Sequence, residues 1–513
     1  MSLHAPQESP TLRAVAVVVF VAGLLLSVAA VQQTWNGPIL EAHSFRQTQT
    51  ALTAYWLHQG GPFFAYQTPV LGAPWVLPFE LPVYQLVVAK VHGALGIPLD
   101  AAGRLVSWGF FLLMLWQLGA IVRKLGGSRH LALLVCGLVL LSPMYVFWSR
   151  TFMIESTALF FSVAFVSTAI SHVQAPRVWT AVAMSVLASL AALVKVTTFP
   201  VFGLVAGLVV LWDLRQRANW RDARRWLGRY APVALAGLFA VVVVALWVRY
   251  SDAQKVDHPF GKNLTADKLR PWNYGTMAQR TSPVFWRDAV FGRTLQETLG
   301  GAWPLWATFI AALAIGRAAL AWAALALVLY LIPYLVFTNL HWIHNYYQYA
   351  NALFLLSAVG LVVWLARAGW RRYLALALLA FVVGSQVLHT ARVEWPQMVA
   401  SKDKTDTLLL RQALRGVPED GVLLIFGFDF SSEVAYYAQR RAITVPGWTS
   451  VEQLRSVRTQ PQLHAGGLPI VAVIECPHGF RNNPEMAPLM DAIMAEHTRG
   501  KRSSSVGICT LWR

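Results

Sequence analysis

Uncharged apolar runs of about 20 residues recur along this chain, and a helix of that length crosses the hydrocarbon core of a bilayer. Such runs leave few options, because backbone in lipid must satisfy its own hydrogen bonds, which only helices and closed barrels do. Of 513 residues, 56% are hydrophobic and 13% charged, with a mean hydropathy of +0.50. A soluble domain carries nearer a quarter charged residues, roughly twice as many. The chain therefore reads as an α-helical polytopic membrane protein.

The first span is expected over 12–31, with Arg13 at its start. It is longer than a signal-peptide core and reads as an uncleaved anchor, the alternative being cleavage after the SVAA stretch. Further spans are expected at 101–122, 131–148, 153–172, 178–195, 198–212, 230–250, 302–315, 319–337, 349–366 and 371–389, making eleven. The stretch 81–95 is apolar but short and carries Lys90 and His92, which suits a helix lying along the interface. With that count, loops 123–130, 173–177, 213–229, 316–318 and 367–372 share one side with the N-terminus. They are rich in arginine, including Arg221 and Arg367, and their only acids are Asp213 and Asp222. The positive-inside rule makes that side cytoplasmic.

The same placement accounts for the net charge of +18 without a nucleic-acid partner, and the 22 Trp fit interfacial belts. Outer loops 32–99 and 251–301, the segments 149–156 and 338–348, and the tail after 390 then face outward. Outward basic residues in 251–301, among them Lys255, Lys262 and Arg270, break the usual bias and suit an anionic ligand or lipid headgroup.

Two domains are expected: a membrane domain over 1–389 and a small extracytoplasmic α/β domain over 390–513. In the second, strands at 422–427, 442–445, 470–476 and 506–512 alternate with helices near 402–415, 431–439, 449–458 and 485–497. No Gly-rich phosphate loop is visible there. Of the three cysteines, Cys136 lies in an apolar run, and whether Cys476 and Cys509 pair stays open.

Four polar groupings stand out against this background. Glu41, His43, Arg46, Gln47 and Gln49 crowd the mouth of the first span. Arginine suits bidentate phosphate recognition, and a carboxylate or imidazole takes a proton from an attacking hydroxyl. On a helix, 43 and 46–47 would share a face; the plain alternative is a polar loop anchoring headgroups. In SRTFMIES (149–156), Glu155 opens a membrane helix, where a carboxylate is costly unless it works or pairs. Arg150 is its nearest candidate partner in sequence. Lys195 sits at a span end, placed either to snorkel or to hold a phosphate. His341, His344, Tyr346 and Tyr347 in HWIHNYYQY form an aromatic belt suited to stacking a sugar; two histidines three apart without an acidic third ligand make no convincing zinc site.

Taken with PFELPVYQ (78–85), GRLVS (103–107), LAALVK (190–195) and YYAQRRA (436–442), these motifs resemble bacterial membrane glycosyltransferases of the GT-C type. That family is related to protein mannosyltransferases and to the aminoarabinose transferases of lipid A. The resemblance covers most of the chain in order. It implies transfer of a sugar from a polyprenyl-phosphate carrier to a lipid, glycan or protein acceptor at the outer face of a bacterial inner membrane. Relatives place Asp where this chain has Gln49, so the base is expected at Glu41, with Glu155 at the position resembling the second carboxylate. Glu80, before Leu81-Pro82, resembles the residue near the carrier phosphate. Arg46 and Lys195 would be phosphate contacts, and His344 and Tyr347 would line the cavity. No metal is assigned, although a divalent cation is possible. A lipid-linked oligosaccharide polymerase or ligase and a non-enzymatic transporter are the alternatives; a transporter should show repeat symmetry, and none is visible.

Overall fold

A computed structural model describes residues 10–217, 223–366 and 369–513. Arg221, Asp222 and Arg367 of the charge pattern lie outside the described residues. The chain groups into two compact units that interleave in sequence. One comprises residues 1–35, 104–246 and 270–399, the other 36–103, 247–269 and 400–513.

In the first unit, the apolar runs are helices. By length and composition, eight described helices suffice to cross a membrane, or nine if the bent pair Phe285–Leu299 and Trp303–Ile315 makes one span. All eleven expected segments are helical, but three are short: Arg129–Leu141 (α5), Val178–Val194 (α8) and Trp303–Ile315. Thirteen residues rise only about 20 Å, less than a hydrocarbon core of about 30 Å. The expected span 131–148 breaks where Ser142 caps α5 and Pro143 opens a new turn, Pro143–Trp148 (α6). The segment 81–95 is the separate 13-residue helix Val83–Leu95 (α3).

Helix Pro10–Thr34 (α1) packs on α5 through two glycines, Gly23 and Gly137. A Cβ on Gly137 would lie 2.8 Å from the Phe20 nitrogen, and one on Gly23 2.6 Å from the Leu140 Cβ. Small residues permit this backbone approach, which substitutes for the hydrophobic drive that lipid does not supply. Conversely, Leu25, Leu235, Leu238, Val241 and Ile310 are each more than half exposed. Carbon of that kind on a helix surface belongs against lipid.

The second unit holds a five-stranded sheet in the order β2-β1-β3-β5-β4. Val422–Phe426 (β1) lies parallel between Arg441–Val445 (β2) and Ile470–Glu475 (β3). Every β1 side chain is buried, as expected of a strand covered on both faces. The stretch 506–512, expected as one strand, is instead the second half of a hairpin. Gly507 at φ 60° turns the chain, so Ser503–Val506 (β4) pairs with Cys509–Trp512 (β5). Cys476, just after β3, is disulfide-bonded to Cys509. The outer edge of β2 is closed by the first loop: the Ala442 and Thr444 amides donate to the Pro69 and Val70 carbonyls, and Gly72 N donates to Ala442 O.

Two buried histidines lock this unit. His258 Nδ1 accepts from the Phe260 and Gly261 amides (3.2 and 3.0 Å), and its Nε2 donates to Gly72 O (3.2 Å). Burial pushes the His258 and His464 imidazoles down to about 4 each. The unfolded chain takes up these protons below about 6.5. Both histidines therefore contribute stability above that pH, and the contribution is lost as pH falls towards 4. The melting temperature of the purified protein in detergent should fall between pH 7 and pH 5, and less steeply in His258→Asn. An unchanged slope in that variant would assign the acid sensitivity elsewhere.

Candidate active site

The first polar cluster is organised around the start of Ser44–His58 (α2) in the second unit. His43 caps the helix in the left-handed region (φ 52°, ψ 43°), and its carbonyl accepts from the Arg46 and Gln47 amides at 2.9 and 3.1 Å. This corrects the expectation that 43 and 46–47 share a helical face: His43 precedes the helix. Glu41 lies buried in the turn just before it. Gln47 is fully buried and donates its amide to Ala42 O at 3.0 Å, bracing that turn.

Arg46 projects from the first turn. Its Nη1 donates to Gln49 Oε1 (2.6 Å), and its Nη2 is ion-paired with Glu80 Oε1. Gln49, where relatives carry an acid, thus orients the guanidinium from one helical turn away. The backbone presenting Glu80 is pinned on three sides. Tyr66 OH accepts from Phe79 N (2.5 Å) and donates to Glu80 O (3.0 Å). Trp247 Nε1 donates to Phe79 O (2.9 Å), and Ser251 Oγ donates to Pro78 O (2.6 Å). Lys255 Nζ lies 5.3 Å from the Phe79 ring centroid, paired with Asp252 at 3.2 Å. The Arg46 and Glu80 side chains remain 19% and 27% exposed, so the pair is formed yet reachable.

A second constellation belongs to the first unit. Glu155 is the first residue of Glu155–Gln174 (α7), and Lys195 ends α8 as its C-cap. The partner Glu155 takes is Lys195, 40 residues on, through Oε1. Arg150, the neighbour in sequence, is turned elsewhere: its Nε donates to Met398 Sδ at 3.0 Å, and its guanidinium lies 4.9 Å from the Phe147 ring centroid. Nor does Lys195 snorkel, since it and Glu155 are only 5% and 4% exposed. A buried charge in this setting requires its counter-charge, and sequence neighbours are poorly placed to supply it when a helix begins between them.

Lys195 Nζ sits 4.0 Å from the Tyr347 ring centroid and 5.0 Å from that of Tyr346. The two rings stack at 4.9 Å, with His344 beside both at 5.2 and 5.8 Å. Ser156 and Tyr349 hydroxyls share a hydrogen bond of 2.9 Å. The second Glu155 oxygen, Oε2, is buried and has no hydrogen-bond partner among the described residues. His341 borders this group, its ring centroid 5.9 Å from that of Tyr347; its Nδ1 bonds Phe337 O at 2.9 Å, and Arg293 donates to its carbonyl. Among the described residues, no three His, Cys, Asp or Glu side chains gather in a metal-binding group.

Four of the expected residues therefore form two cation–carboxylate pairs, Arg46 with Glu80 in the second unit and Lys195 with Glu155 in the first, while Glu41, His43 and Gln47 shape the turn before α2 and Arg150 stands apart. The pinning residues Tyr66, Trp247 and Ser251 carried no signal in the sequence, because each acts through the backbone of 78–80.

An array of membrane helices accompanied by a small α/β sheet is the GT-C architecture of membrane glycosyltransferases. The chain has that fold. Residues 101–257 match the family model of dolichyl-phosphate-mannose-protein mannosyltransferases. The structure of ArnT from Cupriavidus metallidurans bound to undecaprenyl phosphate is similar at a TM-score of 0.60, with 15% identity and 97% of each chain covered. The oligosaccharyltransferase AglB from Archaeoglobus fulgidus, in complex with an inhibitory peptide and a dolichol-phosphate, matches at 0.50, with 11% identity over 96% of this chain and 74% of that one. The arabinofuranosyltransferase AftD from Mycobacteria matches at 0.50, with 16% identity over 98% of this chain and 38% of that one. No curated protein matches the sequence directly. The resemblance and fold class read from the sequence are borne out, and the chain is a multi-pass membrane protein.

Proposed function

We propose that this protein is a polyprenyl-phosphate-sugar-dependent glycosyltransferase, moving a hexosyl or pentosyl unit to a lipid, glycan or protein acceptor. The observation that carries the reading is the Arg46–Gln49–Glu80 arrangement, a guanidinium held in a fixed direction at a partly open helix start. Two of the structures with this fold hold a polyprenyl phosphate, undecaprenyl phosphate in one and dolichol-phosphate in the other.

Such a carrier already provides a fair leaving group, so the protein must neutralise the phosphate and remove one proton. In the proposed step, Glu41 takes the proton from the acceptor hydroxyl or amine. The acceptor atom bonds to the anomeric carbon, and the bond from that carbon to the phosphate oxygen breaks, leaving its electrons on the phosphate. Arg46 meets that charge with its planar fork, while Glu80 and Gln49 keep it aimed. In the first unit Glu155 is the second carboxylate; it positions Lys195 as a candidate phosphate contact, and its free Oε2 makes it the alternative base. In the second unit His43 and Gln47 brace the start of α2; in the first, Arg150 is a supporting residue, and His344, Tyr346 and Tyr347 offer faces for a sugar ring.

The orientation belongs to the same proposal: N-terminus cytoplasmic, both pairs and the 390–513 domain outside a bacterial inner membrane, with 1–389 as the catalytic membrane domain. Arginine-rich loops support it from one side. The Cys476–Cys509 disulfide supports it from the other, since such bonds persist in oxidising compartments.

The test is transfer from a radiolabelled polyprenyl-phosphate sugar by the purified full chain. Glu41→Gln should lower the rate by at least about a hundredfold, the range of general-base catalysis. Full activity in both Glu41→Gln and Glu155→Gln would overturn the assignment, and no transfer from any carrier would overturn the function.

A further inference from the structure

The Arg440–Arg441 dipeptide lies in a motif the transfer chemistry leaves unused, and its two members are in opposite situations. Arg440 is buried and fully engaged: its Nε donates to Pro418 O at 3.0 Å, its Nη1 to Ala438 O at 2.6 Å, and its Nη2 to Val417 O. It ties the start of β2 to the loop before β1. Arg441, the first residue of β2, makes no hydrogen bond and no ion pair among the described residues. Its guanidinium carbon instead sits 4.2 Å from the Trp56 ring centroid and 5.6 Å from that of Trp75.

Both indoles are fixed by the fold. Trp56 is on α2, and Trp75 lies in a hairpin whose partner strands bridge at Gln67 and Val76. That hairpin is closed by the Thr68 N to Trp75 O bond of 3.1 Å and is itself bonded to β2 through the bridge from Leu71 to Ile443. Arg441, Trp56 and Trp75 are each half-buried. The Arg441 Nε and the Trp56 Nε1 are both buried donors with no acceptor. Burial draws the guanidinium below its ordinary value. A stacked arginine keeps its fork pre-organised, and the partner that fork fits is a phosphate or carboxylate.

We infer that Arg441, held between Trp56 and Trp75, is a second anion site that takes a phosphate group, separate from Arg46. Ten residues of α2 separate Trp56 from Arg46, about 15 Å along the helix. The site therefore engages a phosphate other than the one at Arg46. The same oxygen chemistry comes from a soluble phosphoryl group or from a phospholipid headgroup, and the experiment separates them.

In neutral detergent, the 31P line width of inorganic phosphate reports the soluble source. Native mass spectrometry of the full chain with phosphatidic acid reports the lipid source. A binding component should weaken at least tenfold in Arg441→Gln and persist in Arg46→Gln. Arg441→Lys should lose most of it, because an ammonium lacks the fork. A response to inorganic phosphate identifies a soluble phosphoryl ligand, and a response to phosphatidic acid alone identifies a headgroup. If Arg441→Gln fails to fold, Trp75→Leu, which opens one face of the clamp, should show the same loss. Equal binding by the wild type and both variants in both arms would overturn the site. Neither arm contains a sugar donor, so this outcome is independent of whether transfer occurs.

Discussion

Arg46→Ala should lower kcat/KM for sugar transfer by roughly a thousandfold, the upper range for removing one pre-organised donor from developing negative charge. Two effects add. On the proposed role, the phosphate would lose its arginine partner, and Glu80, deprived of its counter-charge, would be left facing an incoming anion. Arg46→Lys keeps a charge but cannot reach Gln49 and Glu80 together in the same plane, so it should recover only part of the rate. The informative comparison is Arg46→Ala with Glu80→Gln. If repulsion from the orphaned carboxylate matters, the double variant should be faster than Arg46→Ala alone. Measured rates that leave Arg46→Ala within threefold of the wild type would remove Arg46 from the phosphate site.

The second large effect concerns stability. Lys195→Met leaves the Glu155 carboxyl 4% exposed, without its counter-charge and with neither oxygen paired. Removing one partner of a buried ion pair costs about 3–5 kcal/mol. That corresponds to a fall of roughly 6–20 °C in the thermal midpoint of the protein in detergent, at about 2–4 °C per kcal/mol. Glu155→Gln combined with Lys195→Met should regain most of the loss, because no uncompensated charge remains. A single Lys195→Met variant that melts with the wild type would mean that the pair is not formed in the membrane-embedded protein. Loss of the Lys195 contact with Tyr347 is common to both variants, so the double variant isolates the charge effect.

Much of the architecture was legible because lipid imposes a length and a composition on every spanning helix. The runs at 12–31 and 319–337 announced themselves, and helices cover both. That 81–95 makes a separate, short helix was also readable, from Lys90 and His92 within too short a run. The break at Ser142-Pro143 was equally written in the sequence, as a cap followed by a proline, yet apolar continuity on either side concealed it. In the tail, alternation marked the strands, but Gly507 divides 506–512 by turning the chain, an effect a hydropathy pattern does not register.

At the site, the sequence pointed to residue types and positions. Arg46, Glu80, Glu155 and Lys195 were all candidates, since charges beside apolar runs are costly enough to be informative. It did not supply their partners. Proximity along the chain offered Arg150 to Glu155, whereas the helices bring Lys195 from 40 residues away.

What the sequence alone determined, then, is the membrane class, the approximate set of helices, and an inventory of cations and carboxylates at their ends. Hydrophobic length and charge placement are local properties that survive without coordinates. The pairing of Arg46 with Glu80 and of Lys195 with Glu155, the pinning of the 78–80 backbone by Tyr66, Trp247 and Ser251, and the contrast between Arg440 and Arg441 were decided only by the tertiary structure. Each depends on which distant backbone approaches a side chain, and two adjacent arginines of identical chemistry part ways on that account.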